Sequence, residues 1–543
     1  MNAETGLCTS AIEFTMLNDP TKDRMASFMA RPLFIALCVL CSAYSFAKDA
    51  SSFRFVEKPG PYNVGLRVVE QYDYSRVFRS PIDDLAKPYD GERARPLQTL
   101  IWYPAEHSDK RPMTVADYVG LLSTETSFGR PETSAAAKEW LTAMRETVAI
   151  PLWAVRDATP MSGRHPIVIY APGLSSTSWE NADLCEYLAS HGYIVIASPS
   201  MGPLTREMSF TVSGFNAQAR DISFLIGYAT SLSNADVSKI AVIGFSWGGI
   251  SNLVAAARDD RIRALVSLDG SLRQYPGLLK QAGDVHPEEM AIPMIYFAKQ
   301  EDTLEHWALG SEVNAGPSAL NSWTHGDLIT VRMLGLVHEE MSSMFQRNQM
   351  VWDRFPNEQN ADYGREDGIL GYALIARYTL QFLDAYMQHD ATAMTFLKKA
   401  PAENGVPTHV MAVRFRAATG VPPSLTGFRS EIARQGFNHV ADVYAAMRLE
   451  KADFQLDEGA VDTWATGLID RGHVPDGIEL LKLNAQMHPE SGGVYFSLAE
   501  AYANSGQIPL AVENYRKCLR LWPTNPDIDR KIRALNTAKP SLN

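Results

Sequence analysis

The stretch "KIAVIGFSWGGISNLVAAA", Lys239 to Ala257, decides the fold. It begins as an apolar, β-branched run of the kind that forms a strand buried on both faces, and it ends alanine-rich with helical periodicity. Between the two stands Ser246, flanked by glycines in "GFSWG". That string fits G-x-S-x-G, a motif that is informative only where a buried strand runs in and a helix runs out, and both flanks are present. So tight a turn forces strained dihedrals, and Gly244 and Gly248 remove the side chains that would collide in it. The turn raises the hydroxyl above the sheet and aims the free amides of a helix N-terminus at whatever reacts there. Ser246 is therefore read as a nucleophile rather than as a plain strand-to-helix junction.

Working outward, short β-rich runs alternate with helical stretches from Asn63 to about His389, which implies an α/β domain built on a mostly parallel sheet. Eight strands are predicted, over 63–73, 98–106, 165–173, 193–200, 239–246, 262–270, 292–302 and 328–338, the first two forming an antiparallel edge. The segment 113–160, between the second and third strands, is helical in pattern and longer than a connection needs. It is expected to be a helical cap over the site or an extra layer packed on the sheet. The loop 303–326, with Trp307 and Trp323, is expected to line a pocket mouth. These elements make one domain over 48–400, followed by a Pro/Gly-punctuated linker over 401–428.

From 429 to 543 the pattern is wholly helical and repeats itself. Gly472 and Gly506, Gly477 and Ala511, Leu481 and Tyr515, Leu468 and Tyr502, and Pro489 and Pro523 all recur at an offset of 34. This period, with glycine at the first turn and proline closing each unit, resembles the tetratricopeptide repeat. The stretch 431–451 is expected to add a further helix pair. Such a module implies either a groove for a protein partner or a structural, self-associating role.

A net charge of −12, with 46% hydrophobic and 21% charged residues and no basic stripe, argues for a globular protein and against nucleic acid or anionic lipid as partner. At the N-terminus Arg31 precedes the apolar run 32–47, which is short for a membrane span and ends in Ser45-Phe46-Ala47. A signal peptide over 1–47, cleaved after Ala47, is expected, with no stable membrane span afterwards and a periplasmic or secreted location. Three of the five cysteines leave with it. Cys185 and Cys518 remain in different domains, with neither disulfide nor zinc spacing expected.

A serine at its ordinary pKa needs a base, and a histidine at the end of the last strand is where this topology delivers one. "GLVHEE" places His338 there. A zincin helix is excluded because Ser342 stands where its second histidine belongs, so no metal is expected. For the carboxylate that orients the base, Asp269 and Asp302 end consecutive strands, and the spacing admits either.

The strings "YAPGLSSTS", "LCEYLASHGYIVIASPS", "GFSWGG", "LVSLDGS" and "GLVHEEMS" resemble the α/β-hydrolase superfamily, and within it the platelet-activating-factor acetylhydrolase and dienelactone-hydrolase-like esterases. That resemblance implies an eight-stranded α/β-hydrolase fold, Asp269 as the acid with Asp302 as the alternative, and an oxyanion hole made by the main-chain amides of Leu174 and Trp247. Pro172 departs from the histidine common at that place. The expected activity is an exported serine esterase acting through an acyl-enzyme on small or lipid-like esters, with no cofactor. A peptidase or amidase on the same three residues, or a non-catalytic binding protein on this scaffold, are the alternatives.

Overall fold

The apolar run around Val242 becomes the middle of a ten-stranded sheet, as its burial on both faces requires. The computed structural model describes residues 52–83, 85–128, 135–299, 318–349, 351 and 363–537. The expected signal segment, Trp307 and Asp302 lie outside them. The strands are β1 (Asn63–Val77), β2 (Ala94–Ala105), β3 (Ala154–Arg156), β4 (His165–Ala171), β5 (Ile194–Ala197), β6 (Ala235–Phe245), β7 (Ile262–Leu268), β8 (Met294–Ala298), β9 (Leu328–Met333) and β10 (Met411–Arg416). Their order across the sheet is β10-β9-β8-β7-β6-β4-β5-β2-β1-β3. Strands β4 to β9 run parallel, whereas β2 meets both β1 and β5 antiparallel and β10 meets β9 antiparallel. This is the mostly parallel, helix-covered sheet that the sequence pattern implies, with ten strands in place of the expected eight because β3 and β10 add one at each edge.

Helices cover both faces. In chain order they are α1 (Val115–Gly120), α2 (Ala135–Ala143), α3 (Ala182–Ser190), α4 (Val212–Ala229), α5 (Trp247–Arg258), α6 (Pro276–Ala282), α7 (Ala319–Ser322), α8 (Ser343–Gln346), α9 (Arg365–Met387) and α10 (Ala391–Lys398). The period-2 alternation of the strands splits the core in two. Val168, Tyr170, Ala241 and Ile243 face α3 and α9, while Ile167, Ile169, Ile240 and Val242 face α4 and α5. Each such aliphatic side chain, fully removed from water, contributes about 1.5–3 kcal/mol before entropy is counted. Together they hold the C-terminal ends of β4, β6 and β7 side by side, which is where the candidate residues lie.

Three expectations need correction. The segment 401–428 is more than a linker, because Met411–Arg416 pairs along all six of its residues with β9 and closes that edge of the sheet. Trp323 does not line a pocket mouth: it is fully buried, and its indole N–H donates to the Ile292 carbonyl at 3.1 Å. The insertion 113–160 is only partly helical, since it holds the short α1 and α2 and then returns to the sheet as β3 beside β1.

Beyond β10 follow α11 (Leu425–Gln435), α12 (Val440–Glu450), α13 (Glu458–Asp470), α14 (Val474–Met487), α15 (Gly492–Asn504), α16 (Ile508–Leu521) and α17 (Pro526–Thr537). The pair α15–α16 repeats α13–α14 at the 34-residue offset, and α11–α12 supplies the further pair expected near 431–451. Gly472 and Gly506 follow α13 and α15 in the left-handed region, φ 88° and 76°, where a side chain would be strained. Gly477 sits where a Cβ would come within 2.7 Å of the Ala465 carbonyl, so the helix crossing requires its smallness. This helical part is fastened to the sheet domain by Thr419 N–H donating to Thr324 O at 2.8 Å and by a Lys451–Glu289 ion pair at 3.2 Å. No helix of the described residues is long and apolar enough to cross a membrane.

The insertion is tied down by a buried acid. Glu186 on α3 accepts from the amides of Trp153 and Ala154 at 2.5 and 3.1 Å and from the Tyr118 hydroxyl at 2.6 Å. Burial pushes its carboxyl up to about 8. Between the ordinary carboxylate range and that value the folded protein binds the extra proton, so stability falls as pH rises through this window. Melting temperature should therefore decline from pH 5 to 8.5, and Glu186→Gln should make the decline shallower. An unaltered slope in scanning calorimetry would show that Glu186 is ionised when folded.

Candidate active site

Ser246 lies between β6 and α5 with φ 53° and ψ −119°, a conformation that costs a non-glycine residue about 1–3 kcal/mol. Three main-chain hydrogen bonds hold it there. Its N–H donates to Leu268 O at 3.0 Å, and its carbonyl accepts from Gly249 N–H at 3.0 Å and Ser271 N–H at 2.8 Å. The two glycines of the motif are needed for space. A Cβ on Gly248 would stand 2.0 Å from the Ala171 carbonyl oxygen, and one on Gly244 would stand 2.4 Å from that of Gly248. The first turn of α5 is thus pressed directly onto the end of β4.

Asp269 follows β7, also at positive φ (41°), anchored by its N–H to Phe297 O at 2.7 Å. Its carboxylate is buried and meets His338 Nδ1 at 2.5 Å. Burial alone would raise this carboxyl, but the hydrogen bond to His338, the charge of His338 and Lys299 outweigh it and hold the carboxyl below its ordinary range. Asp302 lies outside the described residues.

His338 follows β9 and presents Nε2 to Ser246 Oγ at 2.8 Å. The carboxylate at Nδ1 requires an N–H there, which leaves Nε2 as the acceptor for the serine hydroxyl. Burial pulls the imidazole pKa down, and the bond to Asp269, its charge and that of Glu339 raise it above the ordinary value. The ring stacks on Phe245 with centroids 4.9 Å apart and planes at 26°. Its side chain keeps 31% exposure, in contrast to the buried Asp269 carboxylate at 1%. Three residues separated by 69 and 92 positions are in this way brought into one hydrogen-bonded line.

Of the two expected oxyanion donors, Trp247 follows Ser246 directly in the chain. Leu174 stands between Gly173, whose N–H is taken by Glu180 Oε2 at 3.0 Å, and Ser175, held at φ 53°. Trp247 begins α5, and a Cβ on Gly248 behind it would meet the Ala171 and Pro172 carbonyls, so the first turn of α5 is packed against the end of β4 that leads to Leu174. The Trp247 ring is fully buried, edge-on to Phe210 at 5.1 Å and to Tyr275 at 6.0 Å.

Several residues around the site escaped the sequence reading. Phe345 packs between Phe245 (6.5 Å) and Trp140 of α2 (5.8 Å), so the insertion reaches the histidine's neighbourhood through aromatic contacts. Arg206 donates to Glu125 of the insertion at 2.5 Å and to the Ser175 and Ser200 carbonyls at 3.1 and 3.0 Å, securing the loop that carries Leu174. Glu180 and Asn181 lie beneath that loop. None of these carries a local signature, because each matters through partners distant in sequence. Among the described residues no group of three or more His, Cys, Asp or Glu could hold a metal ion, and Cys185 and Cys518 are free and buried.

With this geometry in hand, comparison with known proteins is informative. Residues 90–361 match the family described as X-Pro dipeptidyl-peptidase (S15 family), which spans half of the chain. A protein called Hydrolase LUC6 from Fusarium sp is 33% identical over 120 residues, covering 21% of this chain and 28% of that protein. The chain therefore matches little more than a quarter of that relative's length. Ferulic acid esterase from Streptomyces cinnamoneus superposes with a TM-score of 0.47 at 18% identity, over 67% of this chain and 99% of that one.

The pairing of Asp269 with His338 has a direct readout. In Asp269→Asn the imidazole of His338, followed by NMR, should titrate at lower pH than in the wild type, because the charge that favours imidazolium is gone. A titration that stays in place would break the pairing. Gly248→Ala should fail to fold or melt far lower, since its methyl has only a carbonyl oxygen to occupy.

Proposed function

The chain belongs to the X-Pro dipeptidyl-peptidase (S15) family, and on that premise we propose that it is an exported serine hydrolase that cleaves carboxylic esters through an acyl-enzyme. The observation that carries the reading is the line from Asp269 through His338 to Ser246 Oγ, with the serine on a strained strand-to-helix turn. Ser246 Oγ attacks the carbonyl carbon while His338 Nε2 takes its proton, and the imidazolium is held by Asp269. The oxyanion that forms is received by the amides of Leu174 and Trp247, where one such donor is typically worth about 3 kcal/mol. Collapse expels the alcohol, which leaves with the proton from His338. Water then attacks the acyl group, gives its proton to His338, and the acid departs as Ser246 regains the proton. No step calls for a metal or cofactor.

Preference for esters is supported by the surroundings. The half-buried Phe345 and Trp140, which pack beside Phe245, and the exposed Phe210, which packs on Trp247, offer apolar surface. The buried carboxylates Glu180 and Glu340 accept from the amides of Gly173 and Val337. The second reading, a peptidase taking an X-Pro amino terminus, is favoured by the family and by one observation, the half-exposed carboxylate of Glu339 next to His338. The repeated helix pairs α13 to α16 support a tetratricopeptide-like module that steadies the enzyme or joins copies of it. The apolar run 32–47 supports export.

A fluorophosphonate probe should label the wild type and leave Ser246→Ala unlabelled, with kcat/KM of the variant down by at least about 10³-fold. Equal labelling would remove Ser246 from the chemistry. A p-nitrophenyl ester series set against X-Pro anilides decides between the two readings: faster anilide cleavage, lost in Glu339→Gln, would make the protein a peptidase. Because His338 must be neutral to act as base and its pKa is raised, the acid limb of kcat/KM should have its midpoint above about pH 6.5.

A further inference from the structure

Two loops must stay in register for this site to work: residues 172–175, which carry the Leu174 amide, and residues 336–344, which carry His338. Glu180, fully buried in the turn before α3, holds both. Its Oε2 accepts from the Gly173 amide at 3.0 Å and from the Tyr170 hydroxyl at 2.8 Å. Its main-chain carbonyl accepts from the Met344 amide and the Ser342 hydroxyl, each at 3.0 Å. Asn181 doubles the link, donating to the Tyr170 hydroxyl at 2.7 Å and accepting from the Ser343 amide at 2.8 Å. The carboxylate lies flush against the loop: a Cβ on Gly173 would be 3.2 Å from Glu180 Oε1.

Hydrogen bonding alone does not call for an acid here. A glutamine oxygen would serve the Gly173 amide, and burying a charge is costly unless the charge is used. We propose that Glu180 is a positioning residue of the hydrolytic site: its carboxylate orients the peptide that presents the Leu174 amide, and its negative charge, facing His338, supports the imidazolium formed when Ser246 gives up its proton. The inference rests on the roles assigned to Ser246 and His338 above. Burial raises the Glu180 carboxyl, and Ser176, the Gly173 amide, the Tyr170 hydroxyl and the charge of His338 draw it back only as far as about 7. Each group therefore favours the charged form of the other. The charged groups facing His338 are otherwise Asp269, Glu339 and Lys299, and those facing Glu180 are otherwise the neutral Tyr170 hydroxyl and Cys185 thiol.

The test compares Glu180→Gln, which keeps an oxygen for the Gly173 amide but no charge, with Glu180→Asp, which keeps a charge one methylene further back. In Glu180→Gln, kcat should fall about 10–100-fold with KM within about twofold. The acid limb of its kcat/KM profile should move to lower pH, because the imidazolium loses a supporting charge. In Glu180→Asp, kcat should fall while the limb keeps its wild-type place. A purely structural residue would lower folded yield or melting temperature and leave the limb unmoved. Wild-type kcat in Glu180→Gln, or an unmoved limb, overturns the proposal. Should that variant not fold, Glu180→Asp decides, since wild-type kcat there also overturns it. A wild type that neither labels with fluorophosphonate nor hydrolyses ester overturns the hydrolase reading itself, whereas an active wild type with an indifferent Glu180→Gln overturns this inference alone.

Discussion

Everything around the site depends on how closely the first turn of α5 approaches the end of β4. A carbonyl oxygen of Ala171 occupies the space where any residue but glycine at 248 would put its Cβ. That approach bends the chain so sharply that Ser246 takes a positive φ, and three main-chain hydrogen bonds, to β7, to the loop after it and to the first turn of α5, hold it there. The strain is sustained because the sheet below is buried on both faces and cannot relax without losing its packing. A hydroxyl held in this way has little freedom left to lose, as the proposed nucleophilic role would require.

Charge in the site is arranged by unequal burial. Asp269 is buried yet kept ionised by His338, whereas Glu180, Glu186 and Glu340 are buried without a cation in hydrogen-bond contact and lie well above the ordinary carboxylate range. The difference comes from the partner. A charged or chargeable donor compensates desolvation, and neutral amides and hydroxyls do so only in part. Two kinds of buried acid thus serve two ends, one orienting the imidazole and the others fastening loops and the insertion to the sheet.

The outer parts of the molecule modulate this centre. Trp140 and Glu125 bring the insertion to the histidine and to the loop of Leu174 through Phe345 and Arg206. At the opposite edge β10 completes the sheet and leads directly into the helix pairs, so the helical part begins as an extension of the sheet rather than as a tethered module. Its repeats stack by small residues at crossings and left-handed glycines at turns, the devices that the 34-residue period displays.

Much of this was legible in the residues themselves, for a definite reason. The strand–serine–helix pattern around Ser246, the parallel β-rich runs and the 34-residue period are local: alternation, glycine placement and helical periodicity act over a few residues and survive in any context. Placing His338 needed only the rule that strand ends converge at one edge of a parallel sheet. What only the tertiary structure decided are contacts whose partners lie far apart. Met411–Arg416 lies between Pro- and Gly-punctuated stretches that read as a linker, and becomes a strand because β9 offers an unpaired edge. Trp323 reads as a loop residue and is core because Ile292 accepts its N–H. Glu180 reads as an acid at a helix start, yet it joins loops 7 and 162 residues away. Sequence by itself determined which segments could be strands, helices and a nucleophilic turn, because those depend on short-range sterics and periodic burial. The folded chain alone decided which acids are buried, what they hold and how they are charged, because desolvation and hydrogen bonding are set by neighbours that only folding brings near.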